Sequence, residues 1–278
     1  MSENRYGAAS RLNLTARRAG NRTVLADVSF TAPFKVAHPF YLENRRENHG
    51  ENRGENDRMS VTLISASAGI MSGDRQIIDI TVKEGAWLEV TSQAFEKIHK
   101  MAEGGSARRH TRLTVEKNAA LNYVPLPAIP FRDSAFRSET EVRLADASSR
   151  FFQSEILSCG RAARGERFEY REHKSLTKIY AGDTLIYSDN AVYVPGETPM
   201  EGFCLFEGYT HMGNFLMIHQ DISEAQAEAL GAAARSLKDG VAGVTRTGYG
   251  GYCARALSNG SEPLLALSGE LRKILRLL

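Results

Sequence analysis

From Tyr123 to Phe131 the chain reads Tyr-Val-Pro-Leu-Pro-Ala-Ile-Pro-Phe, an apolar run broken by proline at every second or third residue. Each proline removes an amide donor and drives the residue before it toward extended geometry. The run therefore cannot be helical, and prolines are poorly tolerated in a central strand. It is expected to be an extended strip, pinned across a sheet edge or presented to a partner. Beyond it, Val142, Leu144, Phe151, Gln153 and Glu155 suit pleated strands with two different faces. Cys159 to Glu166 then places Gly160 and Gly165 around Arg161 and Arg164, a turn expected to aim its charges outward.

The flanking sequence repeats a theme. Ile80–Val90 and Leu113–Tyr123 each read as strand, two charged turn residues, Gly or Asn, Ala, strand. Gly85 and Asn118 are residue types that tolerate positive φ. Val142–Ala147 is a looser third copy. Repetition at roughly thirty residues suggests stacked β layers, although a β-sandwich with recurrent hairpins would look similar.

Shorter strands are expected on either side. Ser10–Lys35 reads as two strands joined around Arg18–Asn21, and Pro33–Tyr41 as a second extended strip. Ser175–Tyr180, Thr184–Tyr187 and Ala191–Val194 are read as separate strands, the last two divided by a Ser188–Asn190 turn. Phe203–Tyr209 and Asn214–His219 continue the pattern. Helices come late. Ser223 with Gln226 forms a capping box, and Glu262-Pro263 opens a leucine-rich segment. The class is mainly β with two late α-helices near the C-terminus. One domain is expected over residues 1–278, with a mobile Asn/Glu/Arg-rich insert at 43–58.

Lys+Arg 35 against Asp+Glu 33 leaves a formal charge of +2, too balanced to point to nucleic acid or an anionic membrane. No apolar run approaches a membrane span, and the first twenty residues lack the core of a secretory signal. The three cysteines form no CxxC pair. The chain reads as soluble and cytoplasmic.

No nucleophile elbow, HExxH, Walker or dinucleotide motif is present, so no enzyme is indicated. His211 and His219 are too far apart along one strand to share a metal. His49 belongs to a polar insert, and Cys159 reads as a core thiol. Asp74, Glu155 and Glu166 adjoin glycine turns or sit in apolar strands. One reading pairs such acids with arginines, Arg161 or Arg164 for Glu155. The other lines a hydrated passage for a hard or borderline cation.

SAGIMSGDRQIIDITVKEGAWLEVTSQAFEKIHK, VEKNAALNYVPLPAIPFRDSAFRSET, SEILSCGRAARGERFEY and FEGYTHMGNF stand in this order. They resemble the glycine-rich GGD, TTQAATK, GAxLExLPxPxIPF and GRxARGE segments of the urease accessory family called UreD or UreH. The likeness runs from about Ser10 to the C-terminus. Ser72, Ser92, Phe95-Glu96 and Asn122 depart from the family wording.

The resemblance implies a β-helix-like stack of short strands, some antiparallel, with two helices. It implies a maturation factor that binds apo-urease, meets accessory protein F directly, and reaches the GTPase accessory protein G through F. These would form a dimer of heterocomplexes supporting nickel insertion. Asp74, Glu155 and Glu166 match acidic positions of the family motifs and would line a nickel passage. No permanent cofactor is implied, only transient nickel. The other class kept open is a non-enzymatic, β-solenoid-like protein-binding module unrelated to nickel.

Overall fold

Period-two alternation of apolar and polar residues pairs the extended segments into two facing sheets. The computed structural model describes residues 8–42 and 58–277, so the insert expected at 43–58 lies outside the described residues except for Arg58. In chain order come β1 (Ser10–Ala19), β2 (Arg22–Phe30), β3 (Phe34–Val36), β4 (Phe40–Tyr41), β5 (Arg58–Ser65) and β6 (Arg75–Val82). Next are β7 (Trp87–Ser92), β8 (Glu96–Ile98), β9 (Ala107–Val115), β10 (Ala120–Val124), β11 (Ala128–Pro130), β12 (Ala135–Leu144) and β13 (Arg150–Ser158). β14 (Glu172–Ala181), β15 (Thr184–Tyr193) and β16 (His211–Ile218) lead to α1 (Glu224–Arg235). β17 (Gly240–Arg246), β18 (Tyr252–Ser258) and α2 (Ser261–Ile274) follow.

The first sheet runs β15-β14-β12-β9-β6-β1-β2, and the second has the path β17-β18-β16-β13-β10-β7-β5-β3. Successive strands alternate between sheets: β6 to β7, β9 to β10, β12 to β13. Like strands therefore stack in parallel, with Ala120 beside both Trp87 and Arg150. This is β-helix-like stacking, with antiparallel pairs only toward the ends. The tight connections carry the residues their geometry requires, Gly85 at φ 67 and Asn118 at φ 53.

Between the sheets lies an apolar core that includes Leu14, Ile80, Leu88, Leu113, Leu121, Val142 and Ile179. A second core forms where Leu264, Leu267 and Leu271 of α2 cover Phe152, Ile156, Phe215 and Met217 on the outer face of the second sheet. α1 opens with the anticipated capping box, Ser223 Oγ accepting from the Gln226 amide at 3.3 Å. Among the described residues no helix is long and apolar enough to cross a membrane.

Three local expectations change. The proline strip is not at an edge. Tyr123 and Val124 end β10, a central strand, and Ala128–Pro130 form β11 between β8 and β13. This is possible because Pro125 and Pro127 fall outside the strands, where their missing donors are not needed, and Pro130 is the last residue of β11. Thr184–Tyr193 is one continuous strand, because Asp189 at the expected turn is held by Arg255 at 2.8 Å and Asn214 at 2.9 Å. Phe203–Tyr209 forms turns, with Cys204 and Glu207 at positive φ.

Candidate functional site

On the inward face of the first sheet, the residues change from apolar to polar toward the strand starts. One row across the strands is apolar: Ile80, Leu113, Val142, Ile179. The next, Ile78, Thr111, Thr140, Thr177 and Asp189, is mostly polar. The third is Gln76, Arg109, Ser138 and Ser175, with His173 two residues before Ser175 on β14. Parallel stacking puts residues one repeat apart side by side, so polar residues at equivalent repeat positions join into continuous rows.

Three cavities follow these rows. The first, of about 150 Å³, is lined by Gln76, Glu96, Arg109 and Tyr123 among others. The second, of about 70 Å³, shares Glu96, Arg109 and Tyr123 with it and adds Gln153, Glu155 and His173. The third, of about 440 Å³, shares Glu155 and His173 with the second and reaches Asp189, Asn214 and Arg255. Adjacent cavities thus have walls in common.

Each charge along this line has its own surroundings. Arg109 donates from Nη1 to Glu96 at 2.9 Å and from Nε to Gln76 at 2.9 Å, and lies 5.6 Å from the Phe136 ring centre. Glu155 has no ion pair among the described residues. Burial pushes its carboxyl up, while the Ser175 hydroxyl bond and nearby Asp189 and Glu96 act less strongly. Burial pushes His173 down to about 4, so its ring is neutral. The His173 Nδ1, Gln153 Oε1 and Ser154 Oγ atoms are buried without hydrogen-bond partners among the described residues. Asp189 is held by Arg255 and Asn214, which tie the two sheets together at the wide end.

The three acids singled out from sequence do not come together. Glu155 lines two of the cavities, whereas Asp74 and Glu166 line none of these three. Asp74 accepts from the Met71 amide at 2.8 Å and closes a turn. Glu166 is buried, accepting from Arg161 Nε at 2.9 Å and the Arg132 amide at 2.7 Å. Burial alone would raise its carboxyl, but these donors hold it below the ordinary range. Arg161 is thus engaged by Glu166 rather than by Glu155, and lies 4.2 Å from the Phe131 ring centre. Arg164 does point outward.

Arg109, Glu96, His173 and Asp189 did not emerge from the sequence. The available signal was parity. Arg109 lies two residues before Thr111 and four before Leu113, on the inward side of a strand that alternates cleanly. Among the described residues no three His, Cys, Asp or Glu side chains gather as a metal-binding group. The line of cavities offers oxygen and nitrogen donors spread along its length rather than gathered at one point. Cys159 is buried, and burial pushes its thiol up, away from the nucleophilic form.

Comparison with known proteins adds a second line of observation. The family described as "UreD urease accessory protein" matches residues 8–278. The urease accessory protein UreD of Acetivibrio thermocellus is 37% identical over 273 residues, 98% of this chain and 99% of the relative. The urease accessory protein UreH of Helicobacter pylori is 34% identical over 272 residues, 98% of this chain and 96% of the relative. The UreD of Haemophilus influenzae is 27% identical over 277 residues, 96% of this chain and 98% of the relative.

Proposed function

The chain belongs to the UreD urease accessory protein family, and from this premise we propose that it is a non-enzymatic scaffold and cation conduit for urease maturation. Membership supports the role in maturation. The finer reading is that the protein docks apo-urease and accessory protein F, receives the GTPase accessory protein G through F, and passes nickel toward the urease active site. Its place would be the cytoplasm, in a dimer of heterocomplexes, with nickel as transient cargo rather than a resident cofactor.

The observation that carries the conduit is the line of three adjoining cavities between the sheets. Cation passage needs successive weak sites, because a tight site would hold the ion. Glu155 supports this reading best. It lines two of the cavities and lacks an arginine partner among the described residues. Asp74 and Glu166 carry a smaller part of the proposal, since each is already committed to a turn.

Two experiments test it. Affinity purification of the tagged full chain from cells expressing the urease operon should recover urease subunits together with accessory proteins F and G. Glu155→Gln should leave that assembly intact, with a melting temperature no lower than the wild type, while lowering the nickel content of the matured urease. Normal nickel loading by the assembled variant would reject Glu155 as a conduit residue. Failure to recover any urease component would reject the scaffold.

A further inference from the structure

Arg109 is out of place in a path for cations. It sits on the inward face of a central strand, its side chain only 13% exposed, at the wall shared by the first and second cavities. A fixed positive charge there repels a divalent ion, and at an effective dielectric constant near 20 the repulsion across several ångströms is worth kilocalories. The guanidinium also uses the oxygens that such an ion would need. Nε and Nη2 both donate to Gln76 Oε1, at 2.9 and 2.5 Å. Nη1 donates to Glu96 Oε2 at 2.9 Å, and Nη2 pairs with the other carboxylate oxygen. The Tyr123 hydroxyl, bonded to Thr111, lines the same two cavities.

We propose that Glu96 and Gln76 form a seat for a divalent cation, which Arg109 occupies as a built-in counter-ion and thereby keeps closed. The inference rests on the conduit reading above and adds its regulation. Carboxylate and amide oxygens are suitable donors for a hard or borderline divalent ion. With Arg109 in place the seat carries no net charge, so it neither traps metal nor leaves a buried carboxylate unpaired. Opening requires the guanidinium to leave Glu96, and the neighbouring cavities give it room to move on either side. Phe136, 5.6 Å from the guanidinium carbon, steadies the closed position through its ring face.

The test is Ni²⁺ binding by the full chain, purified alone or with the accessory proteins that co-purify with it. Arg109→Met removes the occupant and keeps most of its length. It should bind Ni²⁺ at least roughly tenfold more tightly than the wild type by titration calorimetry, since an uncompensated carboxylate then faces the ion. The double variant Arg109→Met with Glu96→Gln should lose that gain. Should Arg109→Met prove unstable, its melting temperature should rise with added Ni²⁺ while that of the double variant does not, as expected when the ion binds only the folded state.

An Arg109→Met variant with wild-type Ni²⁺ affinity and no thermal response overturns the proposal. So does a gain that survives loss of the Glu96 carboxylate. Nickel content of urease matured with Glu155→Gln separates this outcome from the conduit itself. If that content falls while Arg109→Met binds no better, the passage stands and the counter-ion seat does not.

Discussion

His173 stands neutral between the sheets, with Arg109 and Glu96 the charged groups acting on it and burial the dominant influence. Its native value, pushed down to about 4, lies below the ordinary 6.5. Between those two values the unfolded chain binds a proton that the native protein does not. Stability is therefore lost as pH falls through this window, by up to about 3 kcal/mol at its lower end. In a comparison of unfolding free energy from pH 7 to 4, His173→Gln should decline less steeply than the wild type; parallel curves would contradict a buried neutral ring. Glu155 is displaced in the opposite sense for a carboxylate, upward by burial, so the native protein holds its proton to higher pH. Its ionised form destabilises the fold above the native value. Glu155→Gln should thus match or exceed the wild type in melting temperature at pH 8, a separate expectation from its effect on nickel.

At the scale of single elements, the turn after β13 shows two glycines with different duties. Gly160 has φ +135, and a Cβ there would come within 2.7 Å of the Glu166 carbonyl oxygen. Gly165 has φ +74 with open space around it. Gly160→Ala should therefore cost ~3 kcal/mol or more, combining backbone strain with a clash, and Gly165→Ala ~1 kcal/mol from the left-handed conformation alone. Ala163→Val, on an exposed position of the same turn, should be near neutral. Equal denaturation midpoints for the two glycine variants would remove the distinction. Such local requirements were legible in the chain itself. Gly85 and Asn118 announced the turns between sheets, and Ser223 with Gln226 announced α1. β15 was read as two strands because Ser188-Asp189-Asn190 looks like a turn. The arginine that keeps Asp189 extended lies 66 residues away.

Across the whole molecule, the C-terminal segment closes the second core. Leu275 and Leu277 are almost fully buried, and the Leu277 carbonyl accepts from the Asn122 side chain at 2.7 Å on the outer face of the second sheet. Arg272 of α2 reaches Glu89 of β7 at 2.5 Å beside the same asparagine. Deleting residues 275–278 should destabilise the protein by roughly 3–6 kcal/mol from the two leucines, with a lower melting temperature and a smaller soluble yield. Unchanged stability would mean that the helix, rather than its tail, covers the sheet. The same packing explains why the last helix carries leucine on so wide a face.

Local chemistry determined most of the strands, where the stacked repeat turns, where the helices begin, and the family to which the chain is similar. These properties depend on neighbours within a few residues or on an ordered set of motifs. The passage was different. Glu155 could be singled out, because a lone acid in Phe-Phe-Gln-Ser-Glu-Ile-Leu is conspicuous in any apolar strand. Its neighbours could not, because Gln76, Arg109, Ser138 and Ser175 are adjacent only once parallel stacking brings β6, β9, β12 and β14 into register. Likewise, Glu166 met Arg161 within one turn, but Arg109 met Glu96 from another strand. Whether a buried charge is paired with a side chain or left facing a cavity depends on distances through space, and those exist only in the folded protein.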